Sequence, residues 1–311
     1  MKRRILIKNI VTHCYQRAAG GGLLFYSYSD YLVFFTGYCL YAKKHEVQVL
    51  SLCQMPDHVH DSLVVKNPSQ LGSFKRDFNT WFSKVHKPLC HCEGPLLESP
   101  YGSAVKMGDK KARSNLIYVG NNPVERRLTA KAEDYRWNYL AYACSNHPFS
   151  KPLVLRESSW PLRKAIAEVN AQFRAGKPMV YAQLQRLFKP LSPDEGQQLT
   201  DYIISTYNVI DYAAAIRFFD SYENMVNSMH ANTGSEYDIN EPFIGKSDAH
   251  YSKMAKIIMR ELNPADIHDI LGLSVEDKFQ IFQLLRKHSN AMGEQIAKYL
   301  RMPLKKGLAD D

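Results

Sequence analysis

Two histidines separated by one residue stand in the segment MPDHVH, Met55 to His60. The segment follows a turn-prone Pro-Asp pair and is typical of a strand, in which side chains alternate between the two faces. His58 and His60 therefore share one face, where two neutral imidazoles can bind the same divalent cation. The commoner alternative for an isolated pair is two histidines on an ordinary half-exposed strand.

Two other classes of protein with closely spaced histidines are disfavoured. Histidine-triad nucleotide hydrolases need a third histidine two residues further on, and that position is Ser62. A cupin would place its pair among many short strands separated by glycines, whereas this sequence is rich in helical patterns.

A tyrosine and an asparagine four residues apart lie in the segment NLIYVGNNPVERRL. On a helix Tyr118 and Asn122 share a face, and Pro123 is expected to end that helix at Asn122. The amide oxygen of Asn122 is a hard ligand suited to Mg²⁺ or Mn²⁺. A metal bound to a phosphodiester would favour attack by the Tyr118 hydroxyl, which gives a covalent phosphotyrosine. The alternative is a packed helix tyrosine, since the chain has 19 tyrosines.

The elements that must position these residues follow the order β-α-β-β-α-β. Strands are predicted at 4–15, 46–55, 58–65 and 101–107, and helices at 29–45, 67–87 and 110–121. This order is that of the ferredoxin-like split βαβ arrangement, an antiparallel sheet with helices on one face. We therefore predict the α+β class, with a sheet-containing domain over residues 1–150 that holds the predicted site.

An all-helical C-terminal domain is predicted over residues 151–311, beyond a segment rich in serine and proline at 145–161. Its helices are expected at 162–173, 180–187, 193–205, 212–219, 254–262, 265–271, 275–287 and 293–300. The segment 292–304 resembles the first helix and turn of a helix-turn-helix, which predicts DNA binding there. A neutral helical module for packing or partner contact is the alternative.

The excess of positive over negative charge lies in the first half of the chain. The formal net charge is +9 for 40 Lys and Arg against 31 Asp and Glu. Residues 1–150 contain 20 basic and 11 acidic side chains, and the remainder contains 20 of each. This distribution favours a polyanionic partner for the first half. With no apolar run long enough to span a membrane, no secretory signal and six unevenly spaced cysteines, a reduced cytoplasmic setting is expected.

Four motifs, taken together, resemble the REP-associated tyrosine transposases, which belong to the HUH-type single-tyrosine transposases. They are VTHCYQR at 11–17, MPDHVH at 55–60, LIYVGNNPVERRL at 116–128 and YRWNYLAY at 135–142. They stand in the family's order and spacing and cover most of residues 5–142. Any one of them alone would be a weak signal, and the combination is specific.

The resemblance implies an enzyme that cleaves and rejoins single-stranded or hairpin DNA with Mg²⁺ or Mn²⁺. His58 and His60 match the metal-binding pair, and Asn122 matches a polar metal ligand. Tyr118 matches the nucleophile, which would take the 5′-phosphate and leave a 3′-OH. The alternatives are an inactive DNA-binding descendant and a phosphoesterase without a covalent intermediate. The protein would be a monomer or a homodimer, and Tyr118 could approach the histidines of its own or of a partner subunit.

Two acidic residues depart from the family's usual pattern. Asp57 stands where asparagine is usual, and Asp61 stands where an apolar residue is usual. Strand alternation points Asp61 to the face opposite the histidines, toward the core. A carboxylate buried there without a partner would cost stability.

Basic side chains of the first half are candidates for contacts with DNA phosphates. They are Arg4, Arg17, Lys75, Arg76, Lys110, Lys111, Arg113, Arg126 and Arg127. A further cluster, His86, Cys90, His91 and Cys92, has an unusual C-x-C spacing and no second pair nearby, which disfavours zinc. The acidic loop at 234–241 is expected to be structural rather than a calcium site.

Overall fold

The computed structural model describes residues 7–91, 94–232 and 247–303. Four strands form one antiparallel sheet in the order β2-β3-β1-β4. The strands are β1 (Thr12–Arg17), β2 (Gln48–Gln54), β3 (His58–Val64) and β4 (Gly102–Val105). Helix α1 (Tyr28–Lys44) connects β1 to β2, and helix α2 (Pro68–His86) connects β3 to β4. The predicted α+β class and ferredoxin-like arrangement are therefore confirmed.

Helices α1 and α2 cover one face of the sheet. α1 begins at a capping box, in which the Ser27 side chain accepts a hydrogen bond from the backbone N–H of Asp30. Apolar side chains then follow on every side of α1, because the helix is enclosed by the sheet and by other helices. Gly37 lets α2 approach closely, since a Cβ atom there would lie 1.9 Å from the Trp81 ring.

The side chains of β3 alternate as predicted, and the face toward α2 carries a buried ion pair. Asp61 contacts the ammonium group of Lys75, and both side chains are at most 5% exposed. Burial alone would lower the pKa of Lys75, but the Asp61 carboxylate outweighs it, so the pKa is raised. Asp61 therefore has the partner that a buried carboxylate needs, and the predicted DNA contact Lys75 is buried in this ion pair.

A third helix, α3 (Asp109–Glu125), packs on the opposite face of the sheet. The helix does not end at Asn122 as predicted. Pro123 lies in its last turn, and the helix continues for two more residues. The Asn115 amide donates to Ser62 of β3, and Ser62 accepts from Ser51 of β2. These two hydrogen bonds fix α3 over the centre of the sheet.

The rest of the described chain is helical, as predicted. The helices are α4 (Trp160–Arg174), α5 (Tyr181–Phe188), α6 (Pro193–Tyr207), α7 (Tyr212–Ile216), α8 (Tyr222–Ala231), α9 (Ala249–Glu261), α10 (Val275–Ser289) and α11 (Gly293–Leu300). Helix α8 was not predicted from the sequence, and the segment expected as a helix at 265–271 is a 3₁₀ helix, Ile267–Gly272. No helix among the described residues is long and apolar enough to cross a membrane.

These C-terminal helices pack against the sheet-containing part. The Tyr26 hydroxyl donates to the backbone carbonyl of Tyr299 in α11, and the backbone amide of Met179 donates to Thr36 of α1. α8 contacts α3, where the Asn121 amide donates to the carbonyl of Met229. The domain boundary expected near residue 150 stays a prediction. Residues 304–311, from which the second helix of a helix-turn-helix would have to come, lie outside the described part of the chain, as does the acidic loop at 234–241.

Replacing Lys75 by methionine is expected to lower the free energy of unfolding by about 3–5 kcal/mol, because the Asp61 carboxylate would stay buried without a counter-charge. Urea denaturation measures this loss. The double variant Lys75→Met with Asp61→Leu should regain much of it, since both charges are then removed.

Arg76→Met is the matched control, since its side chain is 69% exposed. It should change the free energy of unfolding by less than about 0.5 kcal/mol. An equal effect of Lys75→Met and Arg76→Met would contradict the importance of the buried pair.

Candidate active site

Three buried histidines lie together on the face of the sheet that α3 covers. The His13 Nε2 atom lies 3.0 Å from the Nδ1 atom of His60, and the two rings are stacked. The rings of His58 and His60 are nearly perpendicular, with centroids 4.8 Å apart. β1 and β3 pair at this point, with Tyr15 opposite His60 in the register. The predicted convergence of His58 and His60 on one face is therefore present.

Tyr118 extends from α3 onto this group. Its ring meets His60 edge-on at a centroid distance of 5.3 Å and His13 at 5.6 Å. Asn115, one turn earlier on α3, makes the hydrogen bond to Ser62 that holds the helix in this position. Tyr118 thus lies beside the histidines of its own chain, although the sequence left open whether it would approach those of a partner subunit.

Asp57 connects His58 to the C-terminal helix α11. One carboxylate oxygen of Asp57 lies 2.5 Å from the Nδ1 atom of His58, and the other lies 2.5 Å from the ammonium of Lys298. Burial alone would raise the pKa of Asp57, but the charges of His58 and Lys298 outweigh it and hold the pKa well below its usual value. Asp57, which stands where the family usually has asparagine, thus has Lys298 as a charged partner.

A second acidic residue lies near this ion pair. Asp248 is buried just before α9, and its backbone amide donates to the carbonyl of Arg126. Burial, together with the nearby Asp57 carboxylate, raises the pKa of Asp248 to about 6. The side chains around His58 therefore form a charged network to which residues far along the chain contribute.

The chemistry of His58 and His60 fits a divalent cation bound by imidazole. The Nδ1 atom of each ring is hydrogen-bonded within the protein, so both would bind an ion through Nε2. A carboxylate on the far nitrogen of a histidine fixes its tautomer and orientation, and Asp57 stands in that position for His58. Asn122 is buried on α3, one turn beyond Tyr118, and its role as a ligand stays a prediction.

The whole constellation is enclosed. His13, His58, His60, Tyr118 and Asn122 are each at most 4% exposed. These side chains are therefore almost closed to solvent.

The predicted phosphate contacts divide into exposed and buried side chains. Arg76, Lys110, Lys111, Arg113 and Arg127 are exposed, and Arg17 is half-buried at the end of β1, opposite His58. Lys75 and Arg126 are buried, and their predicted contact with DNA stays a prediction. Arg113 also donates to the carbonyl of Phe218, so its guanidinium is held against the helical part. Arg4 lies outside the described residues.

Three residues next to the predicted site were missed from sequence. His13 lies within the quoted motif VTHCYQR, so the motif was a signal for it. Asn115 lies three residues before Tyr118, which is the spacing of one helical face. Lys298 had no signal, because its proximity to Asp57 arises only from the tertiary fold.

Another group of side chains could hold a metal ion. Asp30, His86 and His268 are buried and offer ligand atoms that all lie within 4.8 Å of one another. This group is distinct from the predicted pair of histidines on β3.

Comparison with known proteins gives one structural similarity. No family model and no curated protein match the chain. A solved structure of a REP-associated tyrosine transposase bound to a REP hairpin is similar over 44% of this chain and 81% of that chain. The sequence identity is 14% and the TM-score is 0.39.

Replacing Lys298 by methionine is expected to destabilise the protein by about 2–4 kcal/mol at pH 7, because Asp57 keeps its charge in a largely buried position. The pKa of Asp57 is lower in the folded than in the unfolded state. Stabilisation by this contact is therefore present above roughly pH 4 and is lost as the pH falls. The difference in free energy of unfolding between wild type and variant should shrink from pH 7 to pH 3, as measured by urea denaturation.

Lys253 is an exposed lysine on α9 and provides the control. Lys253→Met should alter the free energy of unfolding by less than about 0.5 kcal/mol at either pH. A Lys298→Met effect that is the same at both pH values would argue against an ion pair with Asp57.

Proposed function

We propose that this protein is a metal-dependent DNA transesterase that cleaves and rejoins single-stranded or hairpin DNA through Tyr118. The observation that carries the proposal is the contact of the Tyr118 ring with His60, on the same face of the sheet as His58. Together with the four motifs, this arrangement supports a phosphotyrosine mechanism rather than an ordinary packed tyrosine.

His58 and His60 would hold Mg²⁺ or Mn²⁺, with Asn122 as a third ligand. The ion would withdraw charge from the scissile phosphate and stabilise the negative charge that develops on it. Asp57 orients the His58 ring through its contact with the Nδ1 atom of His58. His13 orients the His60 ring through its contact with the Nδ1 atom of His60.

Tyr118 would supply the nucleophile. Its hydroxyl oxygen forms a bond to phosphorus, the bond from phosphorus to the 3′ oxygen breaks, and that oxygen leaves as a 3′-OH. The hydroxyl proton of Tyr118 is lost and the 3′ oxygen gains a proton, so the step is balanced. Because the phosphotyrosine conserves the phosphodiester bond energy, a 3′-OH can reverse the step or join another end.

A non-catalytic DNA-binding protein is the second candidate function. The observation that favours it is the enclosure of the constellation, since Tyr118 is only 4% exposed. A protein that retained the packing of this site without its chemistry would have the same enclosed arrangement. Covalent capture of DNA distinguishes the two candidates.

Incubation with Mn²⁺ and single-stranded DNA that carries a hairpin repeat is expected to give a protein–DNA adduct that survives denaturation. Tyr118→Phe should abolish the adduct, because the nucleophilic oxygen is lost. His60→Gln should reduce adduct formation by at least roughly 100-fold, since one metal ligand is removed. Denaturing gel electrophoresis with labelled DNA measures the adduct.

Tyr202 provides the control, because its hydroxyl contacts Asn170 in the helical part, away from the histidines. Tyr202→Phe should form the adduct at the wild-type level. Hairpin binding without an adduct, across a library of hairpin sequences, would instead support the non-catalytic candidate.

The exposed lysines at the start of α3 are expected to contact phosphates. Replacing Lys110 and Lys111 by alanine should weaken hairpin binding and reduce the slope of log affinity against log salt by about 1–2. Fluorescence anisotropy at several salt concentrations measures both quantities. Arg163 and Lys164 form a matched exposed pair on α4, and an equal loss on their replacement would contradict a specific role for α3.

A further inference from the structure

Three buried side chains from distant parts of the sequence meet away from the histidines of β3. Asp30 lies in the first turn of α1, His86 is the last residue of α2, and His268 lies in the 3₁₀ helix Ile267–Gly272. Their exposures are 0%, 0% and 2%. Nothing in the proposed DNA chemistry requires this group.

The distances within the group fit one bound cation. The Oδ1 atom of Asp30 lies 3.1 Å from the Nε2 atom of His268 and 3.7 Å from the Nδ1 atom of His86. Zinc at about 2.0–2.1 Å from nitrogen and oxygen ligands in a tetrahedral site separates the ligand atoms by about 3.3 Å. The two distances lie on either side of this value.

Partners of the remaining polar atoms fix the orientation of two of these side chains. The Oδ2 atom of Asp30 accepts backbone N–H groups of Tyr26 and Ser27 at 2.7 and 2.8 Å and also lies 3.2 Å from the Nε2 atom of His268, and Oδ1 faces the two histidines. His268 Nδ1 lies 2.5 Å from the Asp266 carboxylate. A carboxylate on the far nitrogen is the usual companion of a metal-binding histidine.

His86 and its neighbours complete the surroundings. Its Nε2 atom lies 3.0 Å from the Cys90 sulfur, and its Nδ1 atom lies 2.5 Å from the hydroxyl of Tyr181. The Tyr181 hydroxyl therefore also lies beside the group. His86 and Cys90 belong to the cluster for which the sequence showed no second pair of ligands, and the fold brings Asp30 and His268 to it.

We propose that Asp30, His86 and His268 bind a divalent transition-metal ion of the zinc class as a structural site. The ion would connect α1, α2 and a C-terminal 3₁₀ helix that lies 182 residues beyond His86 in sequence. A connection that closes such a long loop restricts the unfolded chain, so metal binding stabilises the folded state. This site does not depend on the proposed DNA chemistry.

The test uses the full chain with His58→Gln and His60→Gln, which removes the other predicted metal site. After exposure to micromolar Zn²⁺ and dialysis, this chain should retain about one equivalent of zinc by mass spectrometry of the metal. Adding His268→Gln should lower the content to less than about a fifth. Adding His230→Gln should leave it unchanged, because His230 pairs with Glu133 outside the cluster.

Two further measurements use the chain with His58→Gln and His60→Gln and leave Asp30, His86 and His268 unchanged. Co²⁺ should give the visible d–d absorption of a tetrahedral site with nitrogen and oxygen ligands. A chelator should lower the melting temperature by roughly 5 °C. No retained zinc, no such absorption and an unchanged melting temperature would overturn the proposal and leave Asp30 and His268 as an ion pair alone.

Discussion

Strand β3 carries polar side chains on both of its faces, and each face must be provided with partners because the strand is buried on both sides. His58, His60 and Ser62 point to one face, and Asp61 points to the other. A buried polar group without a partner costs more than a hydrogen bond contributes, so these residues determine which elements can pack around them. On one face Lys75 of α2 pairs with Asp61. On the other face, side chains of α3 and β1 contact Ser62 and His60.

The proposed chemistry follows from the second of these packing requirements. Asn115 and Ser62 hold α3 against the sheet, and the same helix then places Tyr118 on the ring of His60. The helical part of the chain also contributes, since Lys298 balances the charge of Asp57 beside His58. The C-terminal helices are therefore part of the charged surroundings of the proposed site and not only a neighbouring module.

The sequence predicted the sheet, its helices and the shared face of His58 and His60, because periodicity is a local property. The pairing of Asp61 with Lys75 was not predicted, since residues 14 apart meet only when α2 folds back onto β3. Lys298 was beyond sequence reasoning for the same reason, at a separation of 241 residues from Asp57. The end of α3 was predicted too early, at Asn122. Proline disfavours but does not forbid the helical conformation in the residue before it.

The measurement that tests the account most directly is the identification of the amino acid that bonds to DNA. Purified protein is incubated with Mn²⁺ and hairpin DNA, the denatured adduct is digested, and the modified peptide is sequenced by mass spectrometry. Cleavage through Tyr118 predicts a nucleotide phosphate on the Tyr118 oxygen, in a peptide from α3. A phosphate on any other residue, or binding of the hairpin with no covalent product, would contradict it.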